Sequence, residues 1–183
     1  MRHLIILPGN SVKNLAWGEL MLNHYQPFFD SAFLQSYRHW ESRKDNLDFV
    51  VEEAKLKEHI ANLDLDTEVT IMAKSAGSLL ALLAINNKSL LPERCVFFGM
   101  PLDLAAESLF KTDWSPLEIL KVPSLAFHNV GDPTTSYEFT RRLLAEKAPG
   151  IEFITTYESD HWYGDIDTYD IHCNRLITMT NLN

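Results

Sequence analysis

Positive charge is scarce in this sequence. Sixteen lysines and arginines face 25 aspartates and glutamates, a formal net charge of −9 over 183 residues. A chain that grips nucleic acid or an anionic membrane needs clustered cations, so neither partner is expected. Long apolar runs are missing as well. No segment approaches the ~20 residues of a membrane span, and the opening run 4–7 is broken by Pro8-Gly9 before a secretory core of ~7–15 residues can form. The two cysteines, Cys95 and Cys173, have no CxxC spacing and read as reduced, buried thiols of a cytoplasmic protein. There is no Gly/Ser or Pro-rich tract, repeat or low-complexity segment, so residues 1–183 read as one domain. No His/Asp/Glu set shows metal-ligand spacing, and neither a metal nor a cofactor is expected.

What the chain does carry is concentrated in Glu68-Val69-Thr70-Ile71-Met72-Ala73-Lys74-Ser75-Ala76-Gly77-Ser78-Leu79-Leu80. The β-branched Val69, Thr70 and Ile71 predict a buried strand. Residues 76–85 predict a helix that is apolar on nearly every side and must therefore be buried. A strand, a single serine, small neighbours and a buried helix have the layout of a nucleophile elbow, in which the serine hydroxyl projects above the positive end of the helix. Ala73 and Gly77 stand two residues either side, giving A-K-S-A-G where the usual form is G-x-S-x-G. Alanine lacks glycine's freedom at positive φ, so the strand should end in an extended conformation. The plainer alternative is a strand-to-helix turn with Ser75 as N-cap.

Short apolar or β-branched runs at 4–7, 33–37, 69–71, 95–98, 124–130 and 152–156 predict six strands. Helical patterns fall between and after them at 15–24, 76–85, 136–147 and 167–180. Another helix, capped by Asp45 or Asn46, runs to 62 with Leu47, Val50, Val51, Ala54 and Ala61 on its inner face. In it, Glu52-Glu53-Ala54-Lys55-Leu56-Lys57-Glu58 reads as a solvated face. Two short helical pieces lie at 102–110 and 116–120, the second opened by the capping box Ser115-Pro116-Leu117-Glu118. This alternation predicts an α/β fold: a three-layer sandwich around a mostly parallel sheet of about six strands, with any site beyond the strands' carboxyl ends.

The polar residues that follow strands could supply such a site. A serine needs a base to take its proton and an acid to orient that base. His161, in Glu158-Ser159-Asp160-His161-Trp162-Tyr163-Gly164, is the favoured base. His128 reads as a core histidine inside a strand, and His172 belongs to a helix. Asp132, in Asn129-Val130-Gly131-Asp132-Pro133, is the favoured acid, although Gly-Asp-Pro is also a plain turn signal. Asp103 is the runner-up, and Asp160 would have to fold back on its neighbour.

The order Ser75, Asp132, His161 resembles that of the α/β-hydrolase superfamily, over essentially the whole chain. Two departures stand out: Asn129 replaces the first glycine of a Gly-x-x-Asp turn, and Pro8-Gly9-Asn10-Ser11 replaces His-Gly after the first strand. The Pro-Gly-Asn form is similar to the compact, lid-poor serine hydrolases of the retinoblastoma-binding type. The resemblance implies an oxyanion hole formed by the backbone N–H groups of Ala76 and Asn10, with Gly9 allowing close approach. It also implies a small-molecule acyl substrate, cleaved at an ester, thioester or related bond. His39, Trp40 and Trp162 could edge its pocket. Lys74 could attract an anionic substrate, but is expected to extend to water. The same machinery performs acyl transfer if water is kept out, and a binding module could keep the fold without turnover. Between residues 99 and 122 only the two short helical pieces intervene. Their Leu104, Leu109, Phe110, Trp114 and Leu117 could wall a pocket, but are too few for a separate lid domain.

Overall fold

The computed structural model describes residues 1–42, 46–111 and 113–179. Six strands, β1 (Arg2–Leu7), β2 (Ser31–Leu34), β3 (Glu68–Lys74), β4 (Arg94–Phe98), β5 (Ser124–Asn129) and β6 (Ile151–Thr156), form one sheet. Their spatial order is β2-β1-β3-β4-β5-β6, and every pairing is parallel. Among the described residues eight α-helices connect or follow them: α1 (Asn14–Tyr25), α2 (Arg38–Ser42), α3 (Phe49–Ala61), α4 (Ala76–Asn86), α5 (Leu102–Ser108), α6 (Ser115–Glu118), α7 (Tyr137–Lys147) and α8 (Ile166–Thr178).

Side chains alternate across a strand, so the sheet builds two cores. Ile5, Leu7, Ile71, Ala73 and Phe97 face a layer containing α3, α4 and α7. Leu4, Ile6, Met72, Phe98 and Phe127 face Trp17, Met21 and Tyr25 of α1 and Tyr169, Cys173 and Ile177 of α8. Parallel strands covered on both faces need continuous apolar sequence, and β1, β3 and β4 have it. The helix predicted from 76–85 is buried on almost all sides, as its composition requires. Both cysteines are free and buried. Burial holds both thiols above their usual range, Cys173 at about 12. Among the described residues no helix is long and apolar enough to cross a membrane.

The order of connection reverses between β1, which leads to β2 on one side, and β3, which leads to β4 on the other. The crevice at such a reversal, beyond the strand ends, is where ligands bind in open α/β sheets. Here it lies between Pro8-Gly9-Asn10 and Ser75.

Three local readings need correction. The cap of α3 is Asp48, whose carboxylate accepts from the N–H groups of Val50 and Val51 at 3.2 Å each; Asn46 is an exposed bend, and Asp45 lies outside the described residues. The inner face of α3 is also rotated from the one predicted. Val50, Ala54 and Ala61 are exposed, while Glu52 and Leu56 are buried. The cause is Glu52. Its carboxylate accepts from the Arg38 backbone N–H at 2.7 Å and from the Gln35 amide at 3.0 Å, which draws an acidic residue inward and turns the valine to solvent. Finally, Ser115 does not cap α6. It is the first helical residue after Trp114, and its N–H bonds Asp113 instead.

Candidate active site

Ser75 occupies a left-handed turn, φ +51° and ψ −122°. An L residue there is strained by about 1–3 kcal/mol and persists only where its surroundings hold it. The Ser75 N–H donates to Phe98 O at 2.9 Å, and its carbonyl accepts from Ser78 N–H at 2.9 Å. The buried Ser78 hydroxyl donates back to Ala73 O at 3.1 Å. The Ser75 side chain makes no capping bond to α4, so the plain N-cap alternative fails. Ala73 stays in the strand, paired with Leu7 and Phe97, and leaves the positive φ to the serine. The demand for a small residue at Gly77 comes from β1. A Cβ there would stand 2.0 Å from Leu7 O and 2.5 Å from Pro8 O.

His161 Nδ1 lies 2.7 Å from Asp132 Oδ2. Asp132's side chain is fully buried and that of His161 is 18% exposed. With Nδ1–H donating to the carboxylate, the lone pair falls on Nε2, which is buried and bonds no described residue, Ser75 included. The imidazole packs on Gly99, where a Cβ would meet His161 Cε1 at 3.0 Å and the Tyr163 ring at 2.5 Å. Gly99 follows Phe98, the strand-end residue whose carbonyl holds Ser75. The histidine and the serine thus share one strand end.

Tyr163 is the site residue that sequence reasoning missed. Its hydroxyl donates to the same Asp132 oxygen at 2.6 Å and accepts from Asn129 N–H at 3.1 Å. It is buried and sits at φ +54°; its position two residues after the histidine was the available signal. Asp132 Oδ1 accepts from the N–H groups of Thr134 at 2.8 Å and Thr135 at 3.3 Å. Burial alone would push the Asp132 carboxyl up. The bonds from His161, Tyr163 and Thr134 outweigh it and hold the group below the usual carboxylate range. Burial pushes the Tyr163 hydroxyl well above its ordinary value, so it remains a donor.

The rival residues are engaged elsewhere. Asp103 accepts from the Thr135 hydroxyl and from Ser136 N–H, both at 2.9 Å, at the start of α7. Asp160 accepts from Trp162 N–H at 2.7 Å. His128 is a buried core residue, and His172 lies 3.8 Å from Glu152. Asn129, the departure from Gly-x-x-Asp, has a task of its own. Its amide donates to Asp160 O at 2.9 Å and fastens the His161 loop to β5.

On the other side of the crevice, Asn10 is held from three directions. His39 Nε2 and Trp40 Nε1 each donate to its carbonyl at 2.7 Å, and its side chain accepts from Leu47 N–H at 2.7 Å. His39 and Trp40 therefore brace the loop after β1. His39 and Leu47 also line a neighbouring cavity of about 560 Å3 with Arg38, Asp48 and Glu52. Tyr37 adds a bond to Pro8 O at 2.7 Å. The Ala76 N–H is at the first turn of α4, where backbone donors have no intrahelical acceptor. Lys74 does not extend to water. It is 2% exposed, with Nζ 2.6 Å from Asn14 Oδ1 and 5.0 Å from the centre of the Trp162 ring. Among the described residues no group of three or more His, Cys, Asp or Glu side chains could hold a metal ion.

No family model matches the chain, and no curated protein matches it by sequence. Solved structures do. A YdeN-like hydrolase from Pectobacterium atrosepticum superposes with a TM-score of 0.71 at 13% identity, over 97% of this chain and 89% of that one. The esterase Pf2001 of Pyrococcus furiosus gives 0.70 at 14% identity, over 96% and 80%. Acyl-protein thioesterase 2 of Zea mays gives 0.67 at 11% identity, over 96% and 94%. At such identities the likeness is one of fold: this chain has a compact α/β-hydrolase fold.

Proposed function

We propose that this protein is a serine hydrolase that cleaves an ester, thioester or related acyl bond of a small molecule. One observation carries the reading: a strained serine that does not cap its helix shares a strand end with a histidine already paired to a buried carboxylate. Ser75 Oγ attacks the acyl carbonyl while His161 Nε2 takes its proton. Asp132 keeps the imidazole in the tautomer that leaves Nε2 free and stabilises the imidazolium. The oxyanion is met by the N–H groups of Ala76 and Asn10. His161 returns the proton to the leaving alcohol or thiol, and water repeats the sequence on the acyl-enzyme.

The esterase and thioesterase names among the structural neighbours support the hydrolytic reading. A binding module would have no use for a strained serine or for a buried carboxylate held by four donors. The test is a panel of soluble acyl esters and thioesters. Saturable hydrolysis by the wild type, lost in Ser75→Ala, is the expected result. Ligand binding without turnover across the panel would make the chain a binding module.

A further inference from the structure

Lys74 is the buried titratable group that the proposed chemistry leaves unused. It ends β3 one residue before Ser75, its side chain is 2% exposed, and its register partner in β4 is Phe98. Burying an ammonium is costly unless its surroundings replace water, and the replacements here belong to the two loops that must meet over the serine. Toward α1, Nζ donates to Asn14 Oδ1 at 2.6 Å. The Asn14 amide in turn donates to Ser11 O at 3.1 Å and lies 2.9–3.1 Å from the place a Cβ on Gly9 would occupy. Asn14 is thus the floor under Gly9-Asn10, the loop assigned to the oxyanion. Toward the histidine loop, Nζ sits over the Trp162 ring at 5.0 Å, and it lies 5.7 Å from the centre of the Trp17 ring. Trp162 adjoins His161, its N–H is tied to Asp160, and its indole lies against Gly164. Trp17 also donates to Tyr163 O at 2.9 Å.

We propose that Lys74 is a positioning residue of this site: its ammonium fastens the Gly9–Asn10 turn, through Asn14, and the His161 loop, through the face of Trp162, to the strand end that carries Ser75. This rests on the serine-hydrolase reading. A cation is needed on both sides, because a neutral amine binds a ring face weakly and donates less strongly to an amide oxygen.

The clamp should open with pH. Burial lowers Lys74 to about 8, opposed by the charges of Asp132 after β5 and Asp160 in the histidine loop. Glu158, His161 and Tyr163 are the other titratable groups of that loop, Tyr163 being held neutral by burial; α1 contributes the neutral Asn14 and Trp17, and β4 the Phe98 ring. Because the fold disfavours the charged lysine, the unfolded chain binds more protons between about 8 and the ordinary value of 10.5. Stability of the wild type, referenced to Lys74→Met, therefore rises through that window while activity falls.

The test is the rate of Ser75 modification by a fluorophosphonate from acid to alkaline pH, for the wild type, Lys74→Met, Lys74→Arg, Asn14→Ala and Trp162→Ala. In the wild type the rate should fall as Lys74 loses its proton. Lys74→Met should be slower by about 10- to 100-fold, the scale of a displaced reacting group, with no decline near pH 8. Lys74→Arg should keep the rate and move the decline out of range. Asn14→Ala and Trp162→Ala should each be slower and retain their fold. If Lys74→Met does not fold, the wild-type profile and the last two variants decide. A flat alkaline profile, or Lys74→Met, Asn14→Ala and Trp162→Ala reacting at the wild-type rate, overturns the clamp. No modification of the wild type overturns the hydrolase reading itself.

Discussion

At the scale of single residues, the site depends on how Asp132 is kept ionised inside the protein. Its carboxylate accepts from His161, Tyr163, Thr134 and Thr135, and each donor favours the charged form against burial. Asp132→Asn should lower kcat by orders of magnitude, since an amide can favour the wrong imidazole tautomer. Asp103→Asn should leave kcat near wild type and cost about 1 kcal/mol of stability, because it loses an acceptor at the start of α7. Steady-state rates and urea denaturation of both variants check this; the reverse pattern in kcat would move the acid to Asp103. Tyr163→Phe addresses the same carboxylate through pH. A carboxyl held low in the folded state contributes stability above its unfolded value of about 3.9 and loses it as the pH falls through the folded value. Removing the Tyr163 bond raises the folded value toward the unfolded one, so Tyr163→Phe should be less stable than the wild type at neutral pH, lose less stability on acidification, and level off at a higher pH. Identical acid limbs would mean that the hydroxyl does not act on Asp132.

Secondary-structure elements show why some features were readable in the sequence and others were not. The strands and α4 were legible because burial on both faces demands predominantly apolar sequence. Ser75, Asp132 and His161 were legible as candidates because each follows a strand. The orientation of α3 was not, since it depends on partners distant in sequence. Glu52 looks like one charge in a solvated run, yet it closes contacts to Gln35 and Arg38. Lys74 was misread for the same reason: its burial is arranged by Asn14, Trp17 and Trp162, on elements that only the fold brings together. Glu52→Ala should cost about 1–3 kcal/mol, because it strands the Arg38 N–H and leaves the Gln35 amide only the backbone carbonyl of residue 52. Glu52→Gln, which keeps one acceptor, should cost less. Urea denaturation orders the two, and equal small losses would show that Glu52 does not set the seat of α3.

For the whole molecule, strand order explains why the candidate residues converge. β1 and β3 are sheet neighbours whose chains leave in opposite directions, and the loop after β1 faces the serine after β3. β4 and β5 then carry Gly99 and Asp132 beside them, and the loop after β6 returns His161 over Gly99. Between β4 and β5 the described residues form only the short α5 and α6, with Phe110 and Leu117 buried in the core and Leu104 exposed. Among the described residues these two helices are too short for a separate lid domain, and the expectation is that soluble substrates reach the site directly. A p-nitrophenyl ester series should show ordinary saturation kinetics below each ester's solubility limit and no jump on crossing it. A sharp rise at that limit, growing with chain length, would reveal a mobile lid.

The central claim, that this fold is a working hydrolase whose nucleophile is Ser75, is tested most directly by intact-protein mass spectrometry after exposure to a fluorophosphonate, followed by peptide mapping. The account predicts a single stoichiometric adduct on the peptide containing Ser75. The adduct should be absent in Ser75→Ala, whose far-ultraviolet circular dichroism should match the wild type. An unlabelled wild type, or an adduct that persists in Ser75→Ala or maps to another serine, would contradict it.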